Sequence, residues 1–162
     1  MTVSVEIAME AAGWKKIPAA ESAMRRAIAA ALAEAAHGAC EVSVVLTDDA
    51  RIRALNRAWR GKDSATNVLS FPMADGPHEG PRFLGDVVFA LETIRREADE
   101  EGKTFEDHLT HLAVHGVLHL LGFDHEREAA AEAMENRERT ILSGLGIPDP
   151  HQPTKLKRTE PA

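Results

Sequence analysis

The chain contains one cysteine, Cys40, and no tyrosine. A lone cysteine cannot close an internal disulfide, so nothing in the sequence calls for an oxidising compartment. Aromatic residues make up only 4% of the chain, which limits the number of platforms on which nucleic-acid bases could stack. No run of about 18 apolar residues exists, so no membrane span is expected. The first ten residues, MTVSVEIAME, carry neither a basic start nor an apolar stretch, and a secretory leader is not expected. These absences point to a soluble, cytoplasmic protein. Basic residues are outnumbered, 19 Lys and Arg against 26 Asp and Glu, for a formal net charge of −7. That balance argues against a general nucleic-acid binder but leaves room for a local basic patch.

With 162 residues, the chain is expected to form a single domain over residues 1–147, followed by a polar, Pro-rich tail over 148–162 that is expected to be mobile. Val3, Val5 and Ile7 alternate with polar residues and predict a strand with one buried face. Pro18 opens an Ala-rich helix that Gly38 stops. Glu41 to Leu46 is a β-branched run and predicts a second strand. Thr47 reads as the N-cap of a helix that ends at Gly61, with Asp48 and Asp49 in its first turn. Short strands are predicted over Asn67–Phe71 and Phe83–Leu91, with a loop at 73–82 between them. A helix follows to Glu101. Thr104 caps the next, from Phe105 to Leu121, and the last covers Glu126 to Leu142. The first two connections contain helices, which allows the strands they join to lie parallel, whereas the helix-free third connection predicts one antiparallel strand. The fold class is α+β, a mixed four-stranded sheet packed by about five helices. Trp14 and Trp59 are expected in the core, and Asp86 in a structural role.

The strongest motif is His115-Gly-Val-Leu-His119-Leu-Leu-Gly122-Phe-Asp-His125. On a helix, four residues advance about 400°, so His115 and His119 share one face a turn apart. Gly122 can end the helix in a left-handed conformation and return His125 toward the pair. Three imidazoles suit one zinc ion per chain and leave a fourth position for water, whose pKa falls to about 7. Asp124 can orient an imidazole or handle a proton. His111 and His108, upstream on the same side, read as structural; His111 is near enough to support the pair, and His108 is expected to be solvated.

The spacing H-x-x-x-H-x-x-G-x-x-H matches the metzincin zinc site, but the peptidase motif carries its general-base Glu where this chain has Gly116. A peptide bond is therefore not the expected substrate. Arg53, Arg57 and Arg60 fall along one side of their helix, a basic stripe offering about three phosphate contacts. Arg53 and Arg57 read more readily as a solvated face.

HGVLHLLGFDH resembles the signature of the YbeY family of bacterial endoribonucleases. Asn56–Arg60 (NRAWR), Ala65–Pro72 (ATNVLSFP) and Leu84–Val88 (LGDVV) extend the resemblance in order over roughly residues 40–145. Phe123 stands where the family more often has Tyr. The resemblance implies a zincin-like fold, zinc held by His115, His119 and His125, and single-strand-specific RNA cleavage. It implies a role in maturing the end of small-subunit ribosomal RNA and in ribosome quality control. Its partners would be the small ribosomal subunit and assembly factors, such as a small-subunit ribosomal protein or an assembly GTPase. By the same carry-over, Arg60 is the functional arginine and Ser70 lies in the site. Arg60 is expected to neutralise charge on the phosphate, and Ser70 to donate a hydrogen bond to the RNA. No base or oxyanion motif accompanies Ser70 as a nucleophile. Two other readings stay open: a zinc peptidase, and a non-catalytic ribosome-assembly factor with structural zinc.

Overall fold

Alternating burial along β1 (Val3–Met9) shows an edge strand with one covered face. The computed structural model describes residues 3–35, 38–73, 82–123 and 127–151. A short 3₁₀ turn (Ala12–Lys16) leads into α1 (Pro18–Ala35). Then come β2 (Cys40–Thr47), α2 (Asp49–Arg60), β3 (Val68–Pro72) and β4 (Arg82–Ala90). The helices α3 (Leu91–Glu101), α4 (Phe105–Leu120) and α5 (Glu128–Gly144) complete the order.

The sheet order is β1-β2-β4-β3. β1 and β2 are parallel, as are β2 and β4, while β3 runs antiparallel to β4. This is the α+β, mixed four-stranded architecture with five helices that the patterning predicts. Residues of alternate parity feed two cores. Val42, Val44, Leu46, Val87 and Phe89 face the larger core with α1, α4 and α5. Val45, Leu69, Val88 and Ala90 face the smaller one, which Ile52 and Leu55 of α2 cover. Trp14 is fully buried, as expected, and its indole donates to the Thr47 carbonyl at 2.8 Å.

The cap of α2 differs from its expected position. Thr47 remains in the ladder opposite Ala90, and Asp48 is the N-cap, its carboxylate accepting from Arg51 N at 2.9 Å. The strand keeps Thr47 because its side chain is buried, while Asp48, the next residue, takes the free amide of Arg51. Thr104 caps α4 as predicted, accepting from Asp107 N at 3.0 Å. Residues 148–151 are packed against α5, where Arg139 binds Asp149 at 2.8 Å. The rest of the predicted tail lies outside the described residues, as does most of the predicted loop at 73–82.

β4 carries a glycine that the packing demands. Gly85 sits at a register shift with φ +136°, and a Cβ there would stand 2.2 Å from the Phe71 carbonyl oxygen. The close approach of β3 to β4 at this point sets where Ser70 meets α4.

Candidate metal centre and substrate cleft

Helix α4 is buried on most sides, so the histidines it carries are held by packing rather than by a mobile loop. Gly116 is the contact point with the sheet. A Cβ at this position would lie 2.7 Å from Val87 Cγ1 and 3.3 Å from Ser70 Oγ. The helix therefore sits too close to β3 and β4 for any side chain at residue 116. This excludes the glutamate of the peptidase motif on steric grounds. Ser70 Oγ donates to the Gly116 carbonyl at 2.9 Å, tying the edge strand to the same turn of helix.

His115 and His119 lie on the side of α4 that faces a polar cleft. Their Nε2 atoms are 3.1 Å apart, and their rings meet edge to face with centroids 4.6 Å apart. On the other side of the His115 ring, Nδ1 is 2.5 Å from Glu138 Oε2. An ionised carboxylate only accepts, so Nδ1 carries the proton and Nε2 presents its lone pair. Glu138 is 1% exposed and sits on α5. Burial pushes its carboxyl upward, but the hydrogen bond from His115 and the neighbouring His111 and His115 imidazoles outweigh this and hold it well below the usual carboxylate range. His151 Nε2 also bonds Glu138 Oε1. His111 Nε2 is 3.6 Å from the same oxygen, beyond hydrogen-bond distance. Burial holds the His111 imidazole below its ordinary pKa, against the pull of Glu138.

His111, His115 and Glu138 bring one ligand atom each within 4.8 Å of one another, so this cluster of α4 and α5 can hold a metal ion. Glu138 escaped the sequence reading. Its signal was an acid at a helical position aligned with Met134, Ile141 and Leu142, a face otherwise apolar and buried.

His108 is not solvated as expected. It is buried and bonded to Glu97 Oε1 at 2.9 Å, because α3 packs over this turn of α4 and brings Glu97 with it. Glu97 also accepts from the Asn67 side chain at 2.9 Å. His125 and Asp124 lie outside the described residues.

The cleft next to His115 and His119 has a volume of about 650 Å³. Arg60, Lys62, Asn67 and Ser70 line it together with the two histidines. The predicted arginine, serine and histidine pair thus share one cavity. Arg53 does not join them: it forms a two-bond pair with Asp63, at 2.8 and 3.2 Å. Trp59 is a second departure from expectation, being 71% exposed rather than in the core. The buried stripe of α2 runs through Ile52 and Asn56, whose amide donates to the Ser64 carbonyl at 3.0 Å, and leaves Trp59 at its border.

A histidine pair with one imidazole oriented by a buried carboxylate, beside a polar cleft that holds a guanidinium, is the arrangement of a metal-dependent hydrolase. The family model "Endoribonuclease YbeY" matches residues 8–146. An Endoribonuclease YbeY from Rhodopseudomonas palustris strain CGA009 is 54% identical over 151 residues, covering 90% of this chain and 80% of that protein. One from Nitrobacter winogradskyi is 51% identical over 159 residues, covering 94% and 84%. The solution structure of TM1509 from Thermotoga maritima superposes with a TM-score of 0.51 at 24% identity, covering 92% of this chain and 99% of that one, and agrees in fold. The chain belongs to the endoribonuclease YbeY family.

Proposed function

We propose that this protein is a single-domain, zinc-dependent endoribonuclease that cleaves single-stranded segments of ribosomal RNA in the cytoplasm, with His115, His119 and His125 as the zinc ligands. One observation carries the reading: the facing Nε2 atoms of His115 and His119, 3.1 Å apart at the wall of a cleft that also holds Arg60. Two nitrogens bound to one tetrahedral zinc stand about 3.3 Å apart, since each bond is about 2.0–2.1 Å. The pair fits that requirement with little adjustment. The alternative cluster of His111, His115 and Glu138 shares His115 but uses its Nδ1 side, where 2.5 Å to Glu138 is a hydrogen-bond distance. Glu138 is better read as the carboxylate that fixes His115, an arrangement common behind metal-bound histidines.

Zinc bound there supplies a Lewis acid and a water of lowered pKa. Every other role belongs to the chain. Arg60 binds the phosphate and offsets the charge that grows on it. Ser70 holds α4 against β3 through Gly116 while its oxygen faces the cleft. Asp124, next to the third ligand, handles a proton or orients an imidazole. The family's name supports RNA as the substrate; ribosomal RNA as that substrate, and the small ribosomal subunit and its assembly factors as partners, belong to this proposal. Among the described residues no helix is long and apolar enough to cross a membrane.

The test is cleavage of a ribosomal-RNA fragment containing single-stranded and paired regions by purified protein. Cuts confined to unpaired segments, abolished by a chelator and restored by zinc, are expected. Cleavage indifferent to chelation, or none with zinc-loaded protein, overturns the proposal.

A further inference from the structure

The cleft beside the histidines continues past Trp59 into a second cavity of about 1020 Å³ on the α2 face of the sheet. Trp59, Ser70, Phe71 and Pro72 line both. The second cavity differs in chemistry from the first. Its walls are mostly apolar, built from Val45, Leu55, Trp59, Phe71 and Val88, with Glu10, Arg51 and Asp86 as its charged residues. Trp59 and Met73 are the exposed large apolar side chains among the described residues. Leaving an indole in water is unfavourable, and burying it against a ligand recovers that cost. Phe71 meets the Trp59 ring edge to face, with centroids 6.0 Å apart and planes at 68°. That contact fixes the indole while leaving a face free for a planar partner.

We infer that Trp59 and the apolar cavity behind it form a nucleobase subsite, which takes an unpaired base of the RNA strand next to the phosphate held at Arg60. The inference rests on the endoribonuclease reading above and extends it. Three observations select a base over other occupants. Trp59 and Arg60 are consecutive and both line the polar cleft, so a strand whose phosphate contacts Arg60 carries its neighbouring base within reach of the indole. The polar cleft offers the cations Arg60 and Lys62 to a phosphate, and the second cavity offers an aromatic and aliphatic floor to a base, with the Arg51–Glu10 ion pair (3.1 Å) and Asp86 also in its lining. The subsite also explains why an acidic protein with few aromatics can act on single strands. A base inside a duplex is already stacked and cannot lie on Trp59, so the subsite selects against paired RNA.

The experiment compares wild-type protein, Trp59→Phe and Trp59→Ala in zinc-loaded form on a short single-stranded oligoribonucleotide. A matching set carries an abasic nucleotide on either side of the cleaved bond. Stacking predicts that Trp59→Ala lowers kcat/KM by about 5- to 150-fold, mostly through KM, and that Trp59→Phe retains most of the activity. In wild type, one of the two abasic substrates should lose a similar factor. In Trp59→Ala that substrate should carry no further penalty, since the base has lost its partner. Binding should quench Trp59 emission, and the quench should vanish in Trp59→Phe, leaving buried Trp14 as reporter of an intact fold. Equal kcat/KM for Trp59→Ala and wild type overturns the subsite while leaving the nuclease reading in place. So does an intact RNA reaction combined with lost binding to isolated ribosomal proteins, which would make Trp59 a protein contact. Wild-type protein that cleaves no RNA removes the nuclease reading and the subsite with it.

Discussion

At the scale of single residues, the site depends on which nitrogen of His115 carries a proton. Glu138 settles this by accepting from Nδ1 at 2.5 Å, which turns the Nε2 lone pair toward His119. Glu138→Gln keeps the volume but removes the charge and the obligate acceptor, so the tautomer is no longer enforced. Zinc affinity is expected to fall about 10- to 100-fold, measured by competition with a chromophoric chelator. Unchanged affinity would make Glu138 a purely structural acid. His115→Ala and His119→Ala should each take zinc content from about one ion per chain to near none by elemental analysis. Arg60 has a different signature. Arg60→Ala should retain its zinc yet lose cleavage on the order of 100-fold, and Arg60→Lys should recover only part of it because Lys cannot make the paired contact.

At the scale of elements, α4 works because Gly116 lets it sit against β3 and β4. Gly116→Ala would ordinarily stabilise a helix by about 1 kcal/mol. Here the new Cβ meets Val87 Cγ1 at 2.7 Å, and Val87 is a β-branched residue in a paired interior strand. Overpacking of this kind costs about 1–3 kcal/mol and outweighs the propensity gain. A net fall in Tm of a few degrees is expected by thermal unfolding, together with weaker cleavage as Ser70 and the histidines separate. A rise in Tm would show that the helix can shift without cost. The sequence patterning made α4 legible: a Thr104 cap, an apolar periodicity and two histidines one turn apart. The parallel β1–β2 pair and the antiparallel β3–β4 pair were legible from their connections. The helical connection over α2 also allowed β2 and β3 to lie parallel, whereas β4 inserts between them and β3 runs opposite to β2, because nothing in local patterning says which strand takes the interior place. Glu138 and Trp59 were not legible. A glutamate on an apolar helix face acquires meaning only when α5 crosses α4. A tryptophan spaced with Ile52 and Leu55 reads as core unless one knows that the covered stripe runs through Asn56 instead. The burial of His108 is hidden from the sequence for the same reason, since Glu97 reaches it only across a helix–helix contact.

At the scale of the whole molecule, an acidic protein has to attract a polyanion. Its net charge of −7 opposes approach at long range, and the help available is local. Sequence spacing offered three arginines on α2, but Arg53 is bound to Asp63 by two hydrogen bonds and Arg57 is not among the residues lining the polar cleft, whose Arg and Lys side chains are Arg60 and Lys62. Each phosphate contact to a single strand steepens the salt dependence by about 0.7 log units per log unit of salt. Two contacts give a slope of about −1.4, so raising salt from about 50 to about 200 mM should weaken binding of single-stranded RNA by about 7-fold. Three contacts would predict about 18-fold, which separates the two counts in a single titration. Arg60→Ala and Lys62→Ala should each flatten the slope by about 0.7, and Arg53→Ala should leave it unchanged. A contribution from Arg53 would mean that RNA displaces Asp63. With so few charges, affinity for isolated RNA is expected to be weak at physiological salt, and selection of the right strand must come from what holds the protein beside it. Nanomolar binding to unrelated single strands, without any ribosomal component, would contradict that account.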